Sequence, residues 1–114
     1  AGHSATVETL KKYPDTTALF CYNDLIACGA INACRELGYR VPEDISIVGF
    51  DDTEVSRWTY PALTTVNSNP GAIGTQMTKI MISVLENKIT EPELIKLPLK
   101  LVERGSSSMV IRTG

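Results

Sequence analysis

Two apolar runs in this chain end on side chains that could hold a polar ligand. Ala18-Leu-Phe-Cys-Tyr22 stops at Asn23-Asp24, and Ile45 to Phe50, broken only by Ser46 and Gly49, stops at Asp51-Asp52. An amide both donates and accepts, and a carboxylate accepts from two hydroxyls at once. Asn23 and Asp51 together therefore suit a polyhydroxyl ligand such as a sugar or a ribose. For Asp51 the alternative is a local turn hydrogen bond. Asp24 immediately precedes a helical pattern and reads as its N-cap, while Asp52 reads as a loop or capping residue. Trp58 and Tyr60 flank a loop and read as interface or packing residues rather than as a stacking platform for the ligand.

Other chemistry finds little to work with. The single histidine, His3, lies close to the start of the chain, so no Ser/His or Cys/His pair is expected. Gly29, Gly38 and Gly49 are too far apart for a phosphate cradle. Adjacent Asp51 and Asp52 would point to opposite faces of an extended chain, with no third carboxylate at useful spacing, so no metal is expected. No cofactor and no enzymatic activity are expected either. The three cysteines, Cys21, Cys28 and Cys34, form no CxxC and read as reduced core residues of a cytosolic protein.

The elements that would position Asn23 and Asp51 are those of an α/β chain. Ser4 to Lys12 predicts a short helix, followed by a turn at Tyr13-Pro14-Asp15. Residues 18–22 predict a buried strand. A helix follows from Leu25 to Leu37, stopped by Gly38 and with Pro42 beyond it. Residues 45–50 predict a second buried strand. A helical crossover between two such strands means a parallel sheet, and ligands bind such sheets at the carboxyl ends of the strands. That is where Asn23 and Asp51 fall.

The helix from Leu25 is apolar over more than half its circumference. Ile26, Ala30, Ala33 and Leu37 make one stripe, Ala27, Ile31 and Cys34 widen it, and Cys28 extends it. Packing on a sheet needs only about a 100° stripe. The surplus is read as covered by a second subunit, with burial inside a larger monomer as the alternative. Asp52 to Trp58 predicts a short helix or a loop, and Pro61 to Asn67 a short extended segment. Asn69-Pro70 opens an amphipathic helix whose Ile73, Met77, Ile80, Met81, Val84 and Leu85 share one face. Two extended pieces, Glu93–Leu97 and Leu99–Glu103, precede a break at Gly105-Ser-Ser-Ser108 and a loose tail.

The chain has 114 residues and a net charge of −2, and its eleven Lys and Arg are scattered. A phosphate-binding surface needs a concentrated basic patch, so these residues are not expected to bind nucleic acid. No apolar run approaches the roughly 18–20 residues of a membrane span. Starting on a helix and offering only two strong parallel strands, the chain is expected to be a fragment of a larger protein.

Taken together, the segments Ala18-Leu-Phe-Cys-Tyr-Asn-Asp-Leu-Ile-Ala-Cys-Gly-Ala30, Glu36-Leu-Gly-Tyr-Arg-Val-Pro-Glu-Asp-Ile-Ser-Ile-Val-Gly-Phe-Asp-Asp52 and Pro61-Ala-Leu-Thr-Thr-Val66 resemble the effector-binding domain of the lac-repressor (LacI/GalR) family of transcription regulators. Ile73-Gly74 and the stretch from Leu97-Pro98 to Arg104-Gly-Ser-Ser107 match in order and spacing. The resemblance spans roughly residues 5–108. It implies a periplasmic-binding-protein-like (type I) three-layer α/β/α fold with a parallel sheet, here incomplete. Residues 1–67 and 98–114 would belong to the C-terminal subdomain, and 68–97 to a crossover and the last helix of the N-terminal one.

By the same resemblance Asn23 and Asp51 match effector-binding positions. Ser68 falls at a cleft-facing crossover position that can carry a longer polar residue in the family. Cys28, Ile31, Trp58 and Tyr60 match a dimer surface. The implied partners are a sugar or nucleoside-like effector, a second copy of the chain, and operator DNA, the last through a headpiece that this chain does not contain. The effector would change how two subdomains sit against each other, and so the spacing of the DNA-reading headpieces. The competing reading is a fragment of a sugar-binding protein of an ABC-type uptake system, which shares the fold. The absent disulfide pattern and the wording from Val41 to Asp51 favour the regulator and a cytoplasmic location.

Overall fold

Two parallel strands and the helix between them organise the molecule, for which a computed structural model describes residues 1–88, 91 and 94–110. β1 (Ala18–Phe20) and β2 (Ser46–Val48) pair in parallel, Ala18 against Ser46, Leu19 against Ile47 and Phe20 against Val48. Both are shorter than their apolar runs, because the ladder ends before the chain stops being extended. The remaining elements are α1 (Gly2–Lys12), α2 (Asp24–Glu36), a 3-10 turn over Glu54–Arg57, β3 (Thr65–Asn67), α3 (Pro70–Leu85) and β4 (Lys100–Val102).

The core lies between α2 and the strands. Ile45 and Ile47 on β2's inner face join Leu10, Cys21, Ala27, Ala30, Ile31, Cys34 and Leu63 in one buried cluster. Period-2 alternation leaves Ser46 and Val48 only half-buried on the other face. Burial pushes the Cys21 thiol up to about 11, with neighbouring Cys34 adding to the rise, which suits core thiols rather than reactive ones. β2 is continued toward β3 by a parallel bridge between Val48 and Thr64. The Gly49 amide donates to the Thr64 carbonyl at 2.9 Å. β3 neighbours β4. The chain after β4 returns to this layer: Ser106 is fully buried, and its Oγ donates to the Ile47 carbonyl at 2.6 Å and accepts from the Thr64 amide at 2.8 Å.

Part of the apolar surplus of α2, the face that carries Ile26 and Gly29, has an occupant within the chain. α1 lies against α2, and Gly2 and Gly29 allow the two backbones to approach. A Cβ on Gly29 would stand 2.7 Å from the His3 amide nitrogen, and one on Gly2 would collide with the Ile26 carbonyl. Ile31, about 200° round the helix from Gly29, is only 3% exposed and belongs to the core cluster with Ala27, Cys34 and Leu63.

Gly38 closes α2 with φ at +84°, where no Cβ penalty arises. α3 has the Pro70 start and Asn69 cap that its sequence predicts, the Asn69 Oδ1 accepting from the Ala72 amide at 3.3 Å. None of its residues is buried. The chain divides into two compact units, Ala1–Asn67 with the described residues from Leu101 onward, and the described residues of Ser68–Lys100. Of the two extended pieces expected beyond Asn87, Leu99–Glu103 contains β4, whereas the other begins at Glu93, outside the described residues. The expected tail also lies largely outside them.

Candidate functional site

The carboxyl ends of β1 and β2 are tied together by backbone bonds, Cys21 N donating to the Val48 carbonyl at 2.8 Å and Asp24 N to the Phe50 carbonyl at 3.1 Å. Asn23 and Asp51 therefore stand at adjacent strand ends. The two acidic dipeptide segments then divide their roles in a way the sequence did not predict.

Asn23, not Asp24, caps α2. Its backbone is extended, φ −152°, and its Oδ1 accepts from the Ile26 amide at 2.9 Å, while Nδ2 has no partner among the described residues. Asp24 turns inward and is fully buried. It accepts from the Thr53 amide at 2.6 Å, the Thr53 hydroxyl at 2.9 Å and the Thr65 hydroxyl at 2.5 Å. The expectation of a capping Asp24 fails by one residue, because the cap has to be the last extended residue of the strand exit.

Asp52 is not a cap but one half of a buried ion pair. Arg104 Nη2 stands 2.8 Å from its Oδ1, with the two side chains 17% and 6% exposed respectively. Ser56 Oγ donates to Oδ1 at 3.2 Å and Asn67 Nδ2 to Oδ2 at 2.9 Å. Arg104 uses its other nitrogen, Nη1, on Ser56 Oγ at 2.8 Å and the Leu63 carbonyl at 3.0 Å. The Arg104 hydrogen bond holds the Asp52 carboxyl below the usual carboxylate range, against the opposing pull of burial. Among the described residues no buried side-chain polar atom lacks a partner.

Asp51 differs from both. Its amide donates to the Val66 carbonyl at 2.9 Å, its side chain is exposed, and its carboxylate has no partner among the described residues. Its φ is +103° and that of Asp52 is +51°. A non-glycine residue in that region is strained by ~1–3 kcal/mol and persists only where the surroundings enforce it, a feature concentrated at functional sites. The strand ends are thus not extended at Asp51-Asp52, yet the carboxylates still diverge, one outward and one inward. Among the described residues no group of three or more His, Cys, Asp and Glu could hold a metal.

Ser68 is the first residue of the second unit and is half-buried. Cys28 is half-buried, while Trp58 and Tyr60 are 71% and 85% exposed. Arg35 Nη2 holds the Tyr60 carbonyl at 2.5 Å. Ile31 offers little surface to a partner, since it is 3% exposed within the core cluster. Phe20 and Tyr22, on the same side of β1's exit, are exposed aromatics that sequence reasoning counted as strand core. Their alternation with Leu19 and Cys21 was the available signal. A hollow of about 480 Å³ opens at the other, amino end of the strands, lined by residues that include Thr17, Tyr39, Glu43 and Ser46. It contains neither Asn23 nor Asp51.

Residues 2–107 match the periplasmic binding protein-like domain family. An HTH-type transcriptional repressor, PurR of Escherichia fergusonii, is 36% identical over 106 residues, covering 93% of this chain and 31% of the relative. The chain thus spans about a third of the length of the curated relatives it matches. Among solved structures, the transcriptional regulator CelR in its cellobiose complex superposes with a TM-score of 0.88 at 34% identity, covering 93% of this chain and 32% of that one. The lac repressor dimer bound to operator and the anti-inducer ONPF gives 0.85 at 33% identity, covering 93% and 37%. No helix among the described residues is long and apolar enough to cross a membrane.

Proposed function

Since this chain belongs to the periplasmic binding protein-like domain family, within the LacI-type transcription regulators, we propose that it is the effector-sensing and dimerisation part of a cytoplasmic DNA-binding repressor rather than an enzyme. The effector is a sugar or a nucleoside-like molecule held in the inter-subdomain cleft of the full-length regulator. Asp51 accepts from its hydroxyls, Asn23 donates through Nδ2, and Ser68 contributes from the other subdomain. Operator DNA is engaged by a headpiece outside this sequence. Effector binding shifts the population of subdomain arrangements, and with it the headpiece spacing.

The observation that carries the reading is Asp51. It is the one acidic residue at the strand ends whose carboxylate has no internal partner among the described residues, and its backbone is held at φ +103°. The disaccharide in the CelR complex supports a hydroxyl-rich ligand for the same fold. The uptake-protein alternative draws no support from relatives that are transcription regulators. The dimer surface falls to Cys28, Trp58 and Tyr60, in keeping with the dimer seen for the lac repressor, whereas buried Ile31 supports the fold.

Calorimetric titration of the full-length regulator with a panel of sugars and nucleosides tests this. One class should bind, and Asp51→Asn should weaken that binding by ~1.5–3 kcal/mol, the worth of a hydrogen bond to a charged group. Unchanged affinity in the variant removes Asp51 from the site.

A further inference from the structure

Asp51 occupies a backbone region that L residues avoid, so something else must hold it there. Its neighbours are fastened on both sides. The Phe50 carbonyl accepts from the Asp24 amide at 3.1 Å, and the Asp52 amide donates to Thr65 Oγ1 at 3.3 Å. The Thr53 amide and hydroxyl are both taken by Asp24. Among the described residues, the side chain in the segment with a full-charge partner is that of Asp52, clamped by Arg104 from far along the sequence. Arg104 cannot simply swing away. Its two terminal nitrogens are spread over Asp52, Ser56 and the Leu63 carbonyl, a forked pattern that a lysine cannot reproduce.

We propose that Arg104 and Asp52 are positioning residues for Asp51: the buried guanidinium–carboxylate pair pins the residue after Asp51 and so keeps Asp51 in its left-handed conformation with the carboxylate facing outward. The claim deepens the effector-binding reading and rests on it for its functional meaning. It makes the segment that follows β4 part of the ligand edge, although Arg104 touches no ligand. Through that pair, any displacement of residues 104–106 is felt at Asp51.

The test uses the isotope-labelled 114-residue chain. A positive φ brings a residue's amide and Hα protons close, so Asp51 should give an intraresidue cross-peak well above those of extended residues such as Ile47. In Arg104→Lys, and in the isosteric Asp52→Asn, that cross-peak should fall to the Ile47 level while the rest of the amide spectrum stays dispersed. If the melting temperature drops but the Asp51 cross-peak is unchanged, the pair is merely structural and the proposal fails. Should Arg104→Lys not fold, Asp52→Asn alone decides. In the full-length regulator, Arg104→Lys should weaken effector binding in the native background and add little in an Asp51→Asn background. Full additivity overturns the positioning role. If Asp51→Asn itself leaves affinity unchanged, the effector assignment fails, and the cross-peak still decides the positioning claim by itself.

Discussion

The buried carboxylates of Asp24 and Asp52 and the rim formed by half-buried Asn23 and exposed Asp51 use closely related residue types, one position apart, for opposite ends. In the cluster around Asp24, Asp52 and Arg104 no buried side-chain polar atom lacks a partner among the described residues, and the Asp52–Arg104 pair is almost out of water. At the rim, the Asp51 carboxylate and the Asn23 amide nitrogen are unengaged among the described residues. A buried carboxylate has to be satisfied internally or it destabilises the fold. An exposed one can wait for a ligand, since water satisfies it meanwhile. The same chain segment therefore carries a structural anchor, Asp52, and an exposed carboxylate, Asp51, side by side.

Mutations that respect or violate this division should separate stability from binding. The largest effect is expected from Arg104→Met, which strands the Asp52 charge in the interior and should cost ~3–5 kcal/mol in chemical denaturation. A loss below about 1 kcal/mol, the ceiling for an exposed pair, would erase the distinction between cluster and rim. Ile31→Ala should cost ~2–5 kcal/mol, because that side chain is buried in the core cluster. A dimer that dissociates in sedimentation with no loss of stability would return Ile31 to the interface.

Asp51→Asn is expected to leave the denaturation midpoint within ~0.5 kcal/mol of the native chain, as surface changes do, while affecting effector binding. Trp58→Ala and Tyr60→Ala should likewise spare stability, and in the full-length regulator they should shift the sedimentation pattern toward monomer.

Acid pH sharpens the same contrast. The carboxyl of Asp52 is lowered in the folded chain, chiefly by the Arg104 hydrogen bond. Below the ordinary Asp value of about 3.9 the unfolded chain then binds more protons than the folded one. The stabilisation is present above that value and is lost as the pH falls through the folded one. Asp52→Asn should therefore flatten the acid limb of a stability-versus-pH curve.

Much of the layout was legible because it is local. Apolar runs at residues 18–22 and 45–50, the Gly38 stop and the Asn69-Pro70 start each depend on neighbours within a few positions, and the structure has β1, β2, the end of α2 and the start of α3 there. Asn23 and Asp51 could be placed at strand ends for the same reason. The role of Arg104 was not legible. Its partners lie 41 to 52 residues away, and nothing near it in the sequence distinguishes a surface arginine from a buried one. The choice between Asn23 and Asp24 as cap turned on a single dihedral, which composition does not encode.

By itself the sequence determined the α/β class, the parallel pair, the strand ends that carry Asn23 and Asp51 and the family, because hydrophobic period, turn residues and motif order are properties of contiguous chain. Only the tertiary structure decided which carboxylate faces inward, that Ile31 is buried in the chain's own core, and that Asp51 is held at a positive φ. Those outcomes depend on distant groups meeting in a space with little water, where each buried charge must find its counter-charge.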